Sequence, residues 1–373
     1  AARGDAWAAG VGPVRGDRVA QYLFGATVLY VLSILSKTVT CSLPAVILII
    51  IWWKNGRLRW RDVLPTLPMF ALGLATAIAA IFFERDQIGA GVVYDYSFLE
   101  RFLIAGRVVW TYAWLLVWPH PLVFFYPDWT VDASAWWQYL FPVSAIALVL
   151  TLVLLSRRIG RGPAAAVLMF GGTLVPAMGF VAVFPMTFSF VADHFQYLAS
   201  IGFITLVVGT IAYHVQRGPE AARAAAVGLF AAVLLLLAFL TWEQSKVYQN
   251  QKTLWRHTIE HNPRSAVAHL NLGLELINAA NNPRLEASKR AELLAEAVAL
   301  YERAIELDPD DTKARNNLAQ LYLRQGDLTT ARRYIDAALE AGRAQGMEYA
   351  VGYNTMDVIM MRQDRLDEAT AAY

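Results

Sequence analysis

The chain has a single cysteine, Cys41, among 373 residues, so no internal disulfide can form and the thiols give no redox compartment. Charge is also scarce: only 17% of residues are Asp, Glu, Lys or Arg, and the formal net charge is +2. No basic block is present, which excludes the electrostatic footprint of a nucleic-acid-binding protein. There is no paired-cysteine motif, no glycine-rich phosphate loop and no nucleophile elbow, so no cofactor or metal site is expected. His257, His261 and His269 have ligand-like spacing, but Pro263 interrupts them and argues against a metal site. What the chain has instead is apolar sequence. Hydrophobic residues make up 57% of it, and the mean hydropathy is +0.39. That is too apolar for an ordinary soluble domain and indicates a polytopic membrane protein.

The apolarity is uneven. Residues 1–18 are rich in Ala, Gly and Arg and read as a loop with no apolar stretch after Arg3. Seven apolar segments follow, at about 19–35, 39–53, 63–83, 136–155, 163–184, 195–214 and 222–242. Pro44 is expected to kink the second. An eighth segment, 102–126, carries Arg107, a run of aromatic residues from Trp110 to Trp118, and Pro119-His120-Pro121. Residues 19–242 therefore read as a membrane domain and 243–373 as a soluble arm. Residue 1 is Ala, and Tyr373 falls inside a helical pattern, so the chain reads as the C-terminal part of a longer protein.

Loop charges predict the orientation. Lys54, Arg57, Arg59 and Arg61 follow the second segment, Arg157, Arg158 and Arg161 the fourth, and Arg217 and Arg223 the sixth. By the positive-inside rule these loops are cytoplasmic. They fall on one side only if 102–126 is re-entrant or interfacial. Asp62 and Glu220 are then inside, while Glu84, Asp86, Asp95, Glu100, Asp128, Asp132 and Asp193 are outside.

The arm repeats. Ala297, Ala331 and Ala369 are each followed four residues later by Tyr301, Ile335 and Tyr373, and Ala304 and Ala338 lie 34 residues apart. Leu318, Ala319, Tyr322, Gly326 and Asp327 fill the first-helix and turn positions of one repeat. Leu272 and Gly273 begin the one before, whose second helix is delayed by about 12 residues near Asn281–Glu292. Trp255 and Pro263 match a partial repeat upstream. This pattern resembles the tetratricopeptide repeat, in which small and large residues alternate so that paired helices nest and stack.

The polar residues at the predicted outer helix mouths are the candidates for chemistry. In Phe184–Gly202, Asp193 and His194 are adjacent and Tyr197 follows. His194 has the chemistry to accept or relay a proton, and Asp193 to orient a hydroxyl or cation; equally, an aspartate there caps a helix. Lys37 either holds a phosphate as a point charge or snorkels from a helix end. Arg107, inside an apolar segment, either binds a phosphate bidentately or pairs with Glu100. The aromatic run Trp110–Trp129 reads as an interfacial belt or as a sugar platform.

The stretches SILSKTVTCSLPAVILIIIWW (33–53), LIAGRVVWTYAWLLVWPHPLVFFYPDW (103–129) and VADHFQYLASIG (191–202), followed by repeats, resemble in that order the bacterial relatives of the transmembrane and tetratricopeptide-repeat O-mannosyltransferases. These belong to the GT-C class of membrane glycosyltransferases. The resemblance implies an all-α fold, with a polytopic helical membrane domain followed by a tetratricopeptide-repeat α-solenoid. It implies transfer of a sugar from a polyprenyl-phosphate donor to a protein or glycan acceptor, in the bacterial inner membrane, with the repeats on the periplasmic side recruiting the acceptor. It places the catalytic acid in a first outer loop upstream of this chain, so no residue here is assigned as catalytic. By position in the motifs, Lys37, Arg107, Asp193, His194 and Tyr197 match polar positions around the donor pocket. The eukaryotic members tend to have an acid after the lysine, where this chain has Thr38. The rival expectation is a non-enzymatic membrane scaffold whose repeats assemble protein partners.

Overall fold

The computed structural model describes residues 16–87, 96–180, 184–346 and 348–363, and these contain helices and no strands. In chain order the helices are α1 (Gly16–Ser36), α2 (Leu43–Asn55), α3 (Trp60–Val63), α4 (Leu67–Gln87), α5 (Phe98–Val117), α6 (Leu140–Ile159), α7 (Gly162–Leu174), α8 (Ser200–Val215), α9 (Glu220–Val247), α10 (Gln251–His261), α11 (Ala266–Ala280), α12 (Ala287–Leu307), α13 (Thr312–Gln325), α14 (Leu328–Ala344) and α15 (Ala350–Arg362). The chain forms two compact units. One contains residues 1–120 and 129–227, the other 121–128 and 228–373, with the boundary inside α9.

Among the described residues four helical stretches are long and apolar enough to cross a membrane: Thr38–Asn55, Trp60–Phe83, Trp136–Ile159 and Glu220–Val247. Gln21–Ser36, Gly162–Ala177 and Ser200–Val215 are apolar but shorter. All seven apolar segments of the sequence fall on these helices. The fifth ends early because the chain turns after Pro176, with Gly179 at φ +87°. The sixth starts five residues late, after a 3-10 turn at Asp193–Phe195. Pro44 does not kink a helix: it lies in the first turn of α2, where its missing N–H has no partner to lose. Residues 1–15, Asp95, Ala369 and Tyr373 lie outside the described residues, as do the side chains of Glu84 and Asp86.

In the first unit α7 is the central helix. Ala164, Ala165, Ala166 and Phe170 are buried, and α7 packs on α2, α6 and α8. Small residues permit a close approach: a Cβ at Gly202 would lie 2.7 Å from the Ala166 carbonyl oxygen. Of the segment 102–126, residues up to Val117 lie in one helix, α5, and 118–126 leave it without helical structure. α5 begins in a capping box. Ser97 Oγ accepts from the Glu100 amide, and Glu100 accepts from the Ser97 amide at 2.8 Å. α5 buries Leu103, Ile104, Val108, Tyr112 and Leu115, and its Gly106 leaves room for Pro142 of α6.

In the second unit α11 pairs with α12 and α13 with α14, each pair an antiparallel helical hairpin. Caps set their starts: Ser265 accepts from Ala268, Asp311 from Lys313 and Ala314, and Asp327 from Thr330. Gly326, at φ +84°, ends α13 in the left-handed conformation that a side chain would strain. The repeat residues form the core as expected. Ala297, Tyr301, Ala304, Leu318, Ala319, Ala331, Ile335 and Ala338 are all fully buried. The insertion near 281–292 is absorbed partly as a loop and partly as about two extra turns at the start of α12. The unit also takes in Pro121–Asp128. Phe124 and Phe125 lie 5.5 and 5.9 Å from the Trp255 ring, Asn262 Nδ2 donates to the Phe125 carbonyl at 3.2 Å, and Gln244 Nε2 donates to the Leu122 carbonyl at 3.0 Å. Burial raises the Asp128 carboxyl above its usual range, and the Arg264 charge opposes that rise.

Candidate functional site

The candidate residues are organised by the connection between α7 and α8, which α5 holds at two points. Near the start of α5, Arg101 Nη1 donates to the Gly179 carbonyl at 3.3 Å. Three turns on, the fully buried Tyr112 hydroxyl donates to the Ala192 carbonyl at 3.2 Å and accepts from the Ala192 amide at 3.0 Å. Each backbone group is thereby satisfied away from water, and leaving one unmade would cost about 1–3 kcal/mol. Both ends of α5 thus bind the same connecting segment.

Beyond Ala192 the chain makes the short 3-10 turn Asp193–Phe195 and then enters α8. Asp193 is half-buried and close enough to act electrostatically on the Tyr112 hydroxyl. It does not cap α8, which starts seven residues later with no side-chain cap. His194 and Tyr197 are exposed beside it. Lys37, in the turn that leads from α1 to α2, places its Nζ 4.8 Å from the centre of the Tyr197 ring. Partial burial and the Lys37 charge hold the His194 imidazole below its ordinary value near 6.5, which favours the uncharged ring, the form able to accept a proton. Lys37, His194 and Tyr197 therefore form one group, with Asp193 at its edge.

Arg107 belongs to a second group. Its guanidinium carbon lies 4.4 Å from the Trp129 ring centre and 5.9 Å from that of Phe141. Trp129 in turn stacks on Phe190 at 5.4 Å, with the planes 26° apart. Glu100 is engaged in the α5 capping box, and among the described residues Arg107 makes no salt bridge. The expected alternative, an Arg107–Glu100 pair, is absent. A guanidinium on an aromatic face gains about 0.5–2 kcal/mol and keeps its N–H donors for an oxyanion. Phe190 lies three residues before Asp193, so the two groups share one stretch of backbone.

Sequence reasoning singled out Lys37, Arg107, Asp193, His194 and Tyr197 but missed the residues that hold them. Trp129, Phe190 and Tyr112 are among these. In the same segment as Phe190, Gln196 is 8% exposed, and its Oε1 has no hydrogen-bond partner among the described residues. Only the density of aromatic residues pointed at Trp129. Nothing local marks Tyr112, whose partner is 80 residues away.

In the second unit the histidines serve local structure. Nδ1 of His261 faces the His257 carbonyl at 3.0 Å, and Nδ1 of His269 the Ser265 carbonyl at 2.9 Å. A shallow groove on this unit is lined by Asn278, Asn281, Asn317, Gln320 and Arg324 around Tyr301.

Two models of the tetratricopeptide repeat match the chain, over residues 287–311 and 300–333. They cover α12, α13 and the first turns of α14. No curated protein matches the chain. The chain thus combines tetratricopeptide repeats, an architecture that offers extended surfaces to protein partners, with helices able to cross a membrane.

Proposed function

We propose that the first unit binds a polyprenyl-phosphate sugar and transfers the sugar to a protein or glycan acceptor recruited by the repeats. The observation that carries this reading is the pair of cations Lys37 and Arg107. Each is held over an aromatic ring, and neither makes a salt bridge among the described residues. A structural cation in so apolar a unit would be expected to have a carboxylate partner.

In the transfer, an acceptor hydroxyl oxygen bonds to the anomeric carbon while the bond from that carbon to the phosphate oxygen breaks. The electron pair leaves with the phosphate. Lys37 and Arg107 offset the charge that grows there, an effect larger in the transition state than in the bound donor. Asp193, His194 and Tyr197 orient the sugar. The acceptor proton passes to a base that is not assigned to any residue of this chain. The positive-inside pattern supports an outer, periplasmic location for this cluster and for the repeats.

The test is transfer of labelled sugar from polyprenyl-phosphate donors to endogenous acceptors, in membranes containing the full-length protein. Lys37→Ala and Arg107→Ala each reduce transfer by roughly 10-fold or more, on the order of 1.4 kcal/mol. Arg107→Lys recovers part of the loss, because it restores charge without the planar fork. Wild-type rates in both alanine variants, at equal protein levels, would overturn the assignment. No transfer with any donor would favour the second reading, a membrane-anchored scaffold, which the match of the repeats alone supports.

A further inference from the structure

A second feature of the first unit lies away from the polar cluster. Between the ends of α2 and α6, the start of α7 and the length of α8 is an open cavity of about 830 Å³. That is near the upper end of small-molecule sites, about 300–1,000 Å³. Its walls are small or apolar, including Ile50, Ala165, Met169, Gly202, Leu206 and Gly209. The lining of α8 runs from Gly202 to His214, about 18 Å of helix. At one extreme α7 and α8 meet where Gly202 backs onto Ala166 and Phe170 with no room for a side chain. The other extreme is bordered by Trp53, Ile159, Gly162 and Tyr213, beside the basic loops.

Two guanidiniums are seated on that border. Arg161 Nη1 donates to the Trp53 carbonyl at 3.0 Å, and its head lies against Gly56, where a Cβ would fall 2.4 Å from the guanidinium carbon. Arg217 stacks over the Tyr213 ring at 3.4 Å and donates to the Tyr213 carbonyl at 2.9 Å. Each retains further N–H donors. Neither makes a salt bridge among the described residues, and no carboxylate lines the cavity. α7 begins at the same border with no side-chain cap on its amides.

We infer that this cavity binds an anionic phospholipid, with an acyl chain between α7 and α8 and its headgroup phosphate between Arg161 and Arg217. An apolar slot in a membrane unit is naturally filled by a chain. The paired cations at its mouth select the headgroup, as basic residues at a membrane surface do for acidic lipids. The Gly202–Ala166 contact closes the slot at its far end, so the occupant enters from the basic end. This site is independent of the polar cluster around Lys37.

The test is native mass spectrometry of the full chain, extracted from bilayers of equal phosphatidylglycerol and phosphatidylcholine. The wild type retains one phosphatidylglycerol in preference to phosphatidylcholine by roughly 10-fold or more. Arg161→Gln with Arg217→Gln keeps a donor at each carbonyl and removes that preference. Gly209→Phe, at a position where a Cβ meets nothing within 4 Å, fills the slot and abolishes retention of either lipid without crowding the helices. Equal retention of the two lipids by the wild type would overturn the inference, as would undiminished retention by Gly209→Phe. So would efficient disulfide formation between cysteines placed at Gly209 and at Phe230 of α9, because it would show a helix in the slot.

Discussion

Replacing Gly273 by alanine tests the packing of the repeat unit against the simplest opposing expectation. An exposed glycine in mid-helix costs about 0.5–1 kcal/mol relative to alanine, so helix propensity alone predicts that the change stabilises. The structure predicts the reverse. A Cβ at Gly273 would lie 2.7 Å from Tyr301 Cε1, 3.0 Å from Cδ1 and 3.2 Å from Cζ. Tyr301 is fully buried and packed by the side chains of α11, α12 and α13, with only the shallow groove beside it, so its ring can shift little. Inserting a methyl into such a contact costs about 1–3 kcal/mol. Set against the propensity gain, the net loss is about 0–2.5 kcal/mol. For a fragment of this size that is a fall in Tm of up to several degrees. The assay is thermal unfolding of the 243–373 fragment followed by circular dichroism. Gly273→Ala should unfold earlier than the parent. In a Tyr301→Leu background, where the ring is gone, the same substitution should be neutral or stabilising. A higher Tm for Gly273→Ala in the parent background would refute the reasoning.

Two further outcomes are expected. Burial lowers the His269 imidazole below its ordinary value near 6.5. The unfolded chain therefore takes up a proton first, so the stabilisation is complete above about pH 6.5 and is lost as pH falls below it, by at most ~1.4 kcal/mol per pH unit. Denaturant titrations of the fragment between pH 5 and 7 should show that loss, and His269→Gln should flatten it. For orientation, cysteines at Asn55 and Gly160 should be shielded from an impermeant thiol reagent in intact cells while one at Asn282 is labelled. The opposite pattern would reverse the predicted sidedness.

The repeat arm was legible because its information is local and periodic. Ala297, Tyr301 and Ala304 share one helical face and recur 34 residues later as Ala331, Ile335 and Ala338, and all six are fully buried. The apolar helices were legible in position but not in extent, since α7 stops and α8 starts where backbone turns, not hydropathy, dictate: at Pro176 and Gly179 for one and after Asp193–Phe195 for the other. Lys37, Arg107 and Asp193 stood out because charge is rare in apolar sequence. Their supports did not stand out. The Trp129–Phe190 stack and the Tyr112–Ala192 bonds join residues 61 and 80 positions apart, and such pairings leave no periodic trace. Likewise, 121–128 continues an apolar run in sequence, yet Phe124 and Phe125 pack on Trp255 of the second unit.

The central claim is that Lys37 and Arg107 form a site for a lipid-linked phosphate. The most direct measurement is equilibrium binding of a polyprenyl phosphate and of the corresponding polyprenol to the purified chain. The account predicts that the phosphate binds roughly 10-fold or more tightly than the alcohol. It also predicts that Lys37→Ala with Arg107→Ala removes this preference, while Arg161→Gln with Arg217→Gln leaves it intact. Equal affinity for phosphate and alcohol, or a preference that survives loss of both Lys37 and Arg107, would contradict it.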